Sequence, residues 1–228
     1  MPILIDAGTK QYRQMEQLIN SLCQGRKVIY IPEGVRVEVG ILIQPSMNAW
    51  MPMNIKAGGF LQVQDNLIAE SAIRNIRQHA EQYIKRQSNR KIFISRKSTT
   101  FKRVLNEEEI LPLFRQAKYE IVYAEELSWI EQIEVFSSAK CIVGASGAAL
   151  TNLLYCNPGT VLGCILPEKY NFYIYSTIHH MIGGKALFLD VDVVAKYLNI
   201  SGDSYLVDTE RCKRFIAALE QLCGEELC

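Results

Sequence analysis

"CIVGASGAALTN", residues Cys141–Asn152, decides the fold: an apolar run stops at two glycines flanking Ser146, and a helical pattern then resumes. "CIVGA" reads as a buried strand, and the apolar spacing of "GAALTNLLY" (147–155) reads as a helix. A strand that turns sharply into a helix through glycine is a joint of α/β architecture. It has two chemical uses. It can cradle a phosphate, or it can hold Ser146 up as a nucleophile.

Outward from this joint the same alternation repeats. Strand "KIFIS" (91–95) precedes helix "NEEEILPLFRQA" (106–117), and "YEIVYA" (119–124) precedes "SWIEQIEVFSSA" (128–139). After the glycine joint, "TVLGCIL" (160–166) leads to "YNFYIYSTIHHM" (170–181), and "ALFLDV" (186–191) closes the series before the helix "DTERCKRFIAALEQL" (208–222). Asn106 with Glu109 and Ser128 with Glu131 have capping-box spacing. Alternation at this pitch predicts right-handed βαβ units on a doubly wound, mostly parallel sheet, helices on both faces: a Rossmann-like lobe over 89–228. Residues 1–62 read as a smaller, incomplete α/β lobe, with strands "PILI" (2–5), "KVIYI" (27–31) and "VRVEVGILI" (35–43). A helix carries Tyr12, Met15, Leu18, Ile19 and Leu22 between the first two. Residues 44–59 read as an irregular loop. A long helix from about Asp65 to Gln87, within 63–88, links the lobes, with Leu67, Ile68, Ile73 and Ile76 on its apolar stripe.

Composition is that of a globular protein: 49% hydrophobic, 21% charged, net charge +1 over 228 residues. The balance argues against a nucleic-acid surface. No run approaches the roughly 18 apolar residues that span a bilayer, which leaves only peripheral membrane association open. The first residues lack the charged and apolar regions of a signal peptide. Seven scattered cysteines without a CxxC pair predict reduced thiols in a cytoplasmic protein, not a disulfide framework or zinc site.

In such sheets ligands bind beyond the strand C-termini, at the switch in strand order. The candidates are Ser95–Arg96, Gly144–Gly147 and Leu166–Glu168. A hydrolase elbow needs G-x-S-x-G with the acid and then the histidine following. Here Gly147 comes one position early, and Asp190, Asp192, Asp203 and Asp208 lie beyond His179 and His180. Both spacing and order are wrong. The phosphate reading needs free amides at a helix start and nearby cations. Arg96, Lys97, Lys102 and Arg103 supply the cations. The plain alternative is that Gly144 and Gly147 permit tight packing and the basic loop is solvated. Asp190-x-Asp192 raises a competing metal reading, although Asp192 also reads as a helix cap. The pair His179–His180 reads as a partly buried feature of an amphipathic helix, and Tyr170, Phe172, Tyr173 and Tyr175 as core or as packing for a nucleotide base.

The order of several pieces resembles glycosyltransferase family 61. They are Ser95–Arg96 ending a strand, Arg103-x-x-Asn106–Glu107 opening a helix, Glu131–Ile133 with Phe136–Ala139, the glycine turn running into "GAALTN", and "NPGT" at 157–160. The resemblance covers the second lobe well and the first hardly at all. It implies a GT-B-like enzyme that inverts the anomeric centre without a metal or other cofactor. Its partners would be a nucleotide-sugar donor and a glycan acceptor. Arg96 and Arg103 would hold the donor phosphates with the backbone at Ser146, Gly147 and Ala148. Ser95, Asn106, Gly144, Thr151, Asn152 and Glu168 would support that site. The family typically has a histidine where this chain has Ser146, and an acid where it has Gly163. These departures leave a rival: a degenerate module that binds a nucleotide or a partner without turnover. Asp6, Glu33 and Glu38 are the N-terminal candidates for a general base.

Overall fold

The computed structural model describes residues 1–43, 49–50, 67–96, 103–167, 174–195 and 204–224. The chain opens with a βαβ unit. Strands β1 (Ile3–Asp6) and β2 (Val28–Ile31) pair in parallel, joined through helix α1 (Arg13–Cys23). "VRVEVGILI" forms no strand. Its alternation suits a pleat, but no neighbouring strand pairs with it among the described residues, and Val35, Val37 and Ile41 stay exposed.

The linking helix is shorter than its apolar stripe suggests. Leu67–Ile68 (β4) pairs instead with Ala49–Trp50 (β3), so helix α2 runs only Glu70–Ala80, followed by a 3-10 turn at Glu81–Tyr83. Here pairing overrides helical periodicity.

The remaining elements are β5 (Arg90–Ile94), α3 (Glu107–Gln116), β6 (Glu120–Val122), α4 (Trp129–Ser137), β7 (Ala139–Ala145), β8 (Val161–Ile165), α5 (Ile174–Met181) and β9 (Lys185–Leu189). A hairpin of β10 (Asp192–Ala195) and β11 (Ser204–Leu206) then leads to α6 (Thr209–Gly224). Asp192 therefore opens a strand that pairs with Leu206; it does not cap a helix.

Strands β5 to β9 form a parallel sheet in the order β6-β5-β7-β8-β9, as expected for a Rossmann-like α/β lobe. The central strands β5, β7 and β8 are buried on both faces over most of their length, and their residues alternate between two cores. Ile92, Ile94, Ile142 and Leu162 pack with Ile133 and Phe136 of α4 and Ile178 of α5. Phe93, Val143, Val161 and Ile165 pack with Ile110 and Phe114 of α3 and Phe215 and Leu219 of α6. Gln14 and Gln17 of α1 dock onto the start of α4: Gln14 Nε2 donates to the Leu127 carbonyl at 2.8 Å, and the Trp129 N–H donates to Gln17 Oε1 at 2.8 Å. The Ser128–Glu131 capping box forms as expected. No described helix is long and apolar enough to cross a membrane.

Candidate functional site

The strand order reverses between β5 and β7, where Ile94 pairs with Gly144. The residues just beyond these strands therefore lie side by side at the carboxyl edge, where ligands of such sheets bind. Ser95 is fully buried there and its hydroxyl donates to the Glu107 carboxylate. The Arg96 N–H donates to the other oxygen of Glu107 at 3.2 Å. Glu107, at the first position of α3, thus clasps the end of β5 and fixes where the Arg96 side chain departs.

That side chain lies against the glycine turn. A Cβ added at Gly147 would overlap Arg96 Nη1. Gly147 itself is extended (φ 174°), so its requirement is space, not a left-handed backbone. Because the chain stays extended through Gly147, the turn comes one residue later than the sequence implies. The Ser146 N–H consequently continues the β7–β8 ladder, donating to the Ile165 carbonyl at 3.1 Å. This corrects one expectation: the Ser146 amide is committed to the sheet. The Ser146 side chain is buried and acts on the Tyr175 hydroxyl, lowering its pKa against burial.

The helix after the turn, Ala148–Tyr155, is 3-10 and not α. Thr151 Oγ1 donates to the Ala148 carbonyl at 2.7 Å and Asn152 Nδ2 to the Ala149 carbonyl at 3.1 Å, local bonds that favour the tighter turn. The first ring closes from the Leu150 N–H to the Gly147 carbonyl at 2.9 Å, so helix geometry directs the N–H groups of Ala148 and Ala149 at the mouth. Asn152 Nδ2 also donates to Gln132 Oε1 at 2.9 Å, bracing the turn from α4.

The Arg103 charge acts on Arg96. Arg103 is only 9% exposed, and β11 holds it: the Tyr205 N–H donates to the Arg103 carbonyl at 2.8 Å. The Tyr205 hydroxyl donates to the Ile165 carbonyl at 3.0 Å, tying Arg103's support to the same strand end that receives Ser146. Burial, then the Arg103 charge, lower the pKa of Arg96. Burial pushes the Tyr175 hydroxyl up to about 12, opposed by Ser146, Arg103 and Arg96. Tyr205 is likewise raised by burial and opposed by both arginines. Arg96, Arg103, Tyr175 and Tyr205 are therefore one electrostatic neighbourhood.

Asn106 precedes α3 without capping it. Its amide instead bridges to the chain after β11, Nδ2 donating to the Val207 carbonyl at 2.9 Å and Oδ1 accepting from the Val207 N–H at 3.0 Å. It positions the Arg103 loop. Gly144 has the plain role: an added Cβ would lie 3.2 Å from Ile94 Cβ. Gly163 sits mid-strand under α6, where a Cβ would meet Leu219 at 2.9 Å and Phe215 at 3.0 Å, so an acid there would point into the core. Glu168, Lys97, Lys102, Tyr170, Phe172 and Tyr173 lie outside the described residues.

Asp190 and Asp192 line a cavity of about 240 Å³ with Asp208 and Arg211, beside β11. Arg211 Nη1 is 3.8 Å from Asp192 Oδ2, and among the described residues no three His, Cys, Asp or Glu side chains converge as a metal site. His179 is buried at the opposite edge of the sheet, its Nε2 2.7 Å from the Thr160 carbonyl. The sequence pattern brings out Arg96, Arg103 and the glycine turn. It gives Glu107 no separate role and no place at all to Tyr205; an acid directly after Asn106 was the one available signal.

A family model described as Glycosyltransferase 61 matches residues 17–163, more than half of the chain. No curated protein matches it.

Proposed function

The chain belongs to glycosyltransferase family 61, so sugar transfer is its family's chemistry, and we propose that it moves a sugar from a nucleotide-sugar donor to a glycan hydroxyl. The observation that carries the donor assignment is the Arg96 guanidinium pressed against Gly147 at the strand-order switch. In this reading the acceptor hydroxyl attacks the anomeric carbon while its bond to the diphosphate oxygen breaks, inverting the centre. The acceptor proton passes to a base on the N-terminal side, where Asp6, Glu33 and Glu38 are the carboxylates; Asp6 already accepts from the Gly8 N–H at 2.6 Å. The departing nucleoside diphosphate gathers negative charge. Arg96, Arg103 and the N–H groups at the 3-10 helix mouth neutralise it, each charge-assisted bond contributing about 1.5–3 kcal/mol. No divalent cation is needed for that step. Such an enzyme would serve capsular or other polysaccharide assembly on the cytoplasmic side.

Titration with a panel of nucleoside diphosphates in the presence of a chelator tests the site. Arg96→Ala and Arg103→Ala should each weaken binding at least about tenfold, or about 1.4 kcal/mol. Unchanged affinity in both variants rejects the assignment. Tight binding with no consumption of any donor sugar supports the rival reading of a binding module that has lost turnover, for which the absence of an imidazole at Ser146 speaks.

A further inference from the structure

The 3-10 helix that opens at the glycine turn is also gripped at its far end. Arg77 of helix α2 is half-buried, and its Nη1 donates to the Leu154 carbonyl at 2.5 Å and to the Cys156 carbonyl at 2.6 Å. The last carbonyls of a helix find no partner within it. Here the Cys156 N–H takes the Leu153 carbonyl at 3.0 Å, and Arg77 takes the carbonyls on either side of Tyr155. A second grip lies beside the first. Trp129 Nε1 donates to the Tyr155 hydroxyl at 2.8 Å, while the Trp129 N–H is held by Gln17 of α1. Both grips lead back to helices that precede the parallel sheet in the chain.

The Arg77 charge itself does little at the other end. Eight residues of 3-10 helix span about 16 Å, about twice the screening length at physiological salt. What crosses the helix is position. The carbonyls at its end and the N–H groups of Ala148 and Ala149 at its mouth belong to one hydrogen-bonded run, so a shift of one end displaces the other. At the mouth the tolerance is small, because Gly147 has no room for a methyl against Arg96.

We propose that Arg77 is a positioning residue for the anion site: from the linking helix it fixes the 3-10 helix lengthwise, so that Gly147 and the N–H groups beyond it stand where Arg96 meets them. The inference rests on the donor-phosphate reading of that mouth and extends it to a residue outside the site.

Both bonds come from one nitrogen, so a lysine ammonium can replace them, whereas methionine keeps an unbranched stem and donates nothing. The test compares Arg77→Lys and Arg77→Met in the full chain, with the nucleoside diphosphate that the wild type binds best as probe, once urea melts show each variant folded. Arg77→Gln replaces the methionine variant if that one does not fold. Arg77→Met should weaken binding about threefold to tenfold, and Arg77→Lys should stay within about twofold of the wild type. Hydrogen exchange at residues 148–150 should quicken in Arg77→Met without nucleotide present. Wild-type affinity in folded Arg77→Met, a lysine variant as weak as the methionine one, or exchange that quickens only at 153–156 would each overturn the proposal while the donor site stands. No binding by the wild type, with exchange at 148–150 still quickened, would overturn the donor reading and the proposal with it.

Discussion

The two edges of the parallel sheet are both polar, yet they use polarity differently. At the carboxyl edge Arg96, Arg103, Ser146 and Tyr175 gather around the glycine turn. At the amino edge the polar groups spend themselves on backbone. Asn157 Nδ2 reaches the Lys85 carbonyl at 2.7 Å, Ser88 Oγ at 2.8 Å and the Ser137 carbonyl at 2.8 Å. Thr160 Oγ1 donates to the Asn157 carbonyl at 2.8 Å, and the Thr160 carbonyl receives His179. Residues of one family pattern thus divide by edge: "NPGT" is a clasp that seats β8, while Ser95–Arg96 and the glycine turn lie at the carboxyl edge. The sharpest separation comes from Asn157→Ala. It strips acceptors of their donor and should cost about 2 kcal/mol of stability by urea denaturation, while nucleoside diphosphate affinity of the folded variant stays unchanged. A loss of affinity equal to that of Arg96→Ala would erase the distinction between the edges.

Gly147→Ala probes the other edge and should do the reverse. The added methyl claims the position of the Arg96 guanidinium, which must swing away. A flexible arginine can yield, and the extended backbone accepts alanine, so the fold tolerates the change. Binding should fall tenfold to thirtyfold, about 1.4–2 kcal/mol, read by calorimetry. Wild-type affinity in this variant would mean that Arg96 does not need its present place to meet the ligand.

The repeating α/β pattern was legible because parallel strands buried on both faces leave unbroken apolar runs, as in "CIVGA" and "TVLGC", and because glycine punctuates the turn. Arg96 was legible for a related reason: a cation right after a buried strand has only the carboxyl edge to go to. Arg103 was legible only through its spacing to Asn106 and Glu107 ahead of α3. The errors have physical causes. Leu67–Ile68 carries a helical stripe but is captured by Ala49–Trp50, and "VRVEVGILI" alternates without a ladder to join. Asn106 has a cap's identity, but Val207, far away in sequence, competes for its amide on both sides. The commitment of the Ser146 N–H depends on a single extended residue, Gly147, which no local pattern specifies.

The smallest effect distinguishes the edges through protons. Nε2 of His179 faces the Thr160 carbonyl, which can only accept, so Nε2 carries the hydrogen and Nδ1 is the lone-pair nitrogen. Nδ1 is buried without a hydrogen-bond partner among the described residues, so a proton added there would be a desolvated charge. Burial accordingly lowers the pKa of His179, only partly offset by the bond to Thr160. Above about pH 6.5 the imidazole is neutral in both the folded and unfolded chain and contributes no pH dependence. Below that, the unfolded chain takes up a proton that the folded chain refuses, so stability falls as pH drops, until the lowered folded value is passed. The slope from this one group is at most about 1.4 kcal/mol per pH unit. Urea midpoints of the wild type and His179→Gln, followed from pH 7.5 to 5, should therefore diverge only on the acid side, the glutamine variant losing less. Parallel curves through that range would place a proton on Nδ1 at no cost, and the amino edge would no longer be the closed, dry end of the sheet.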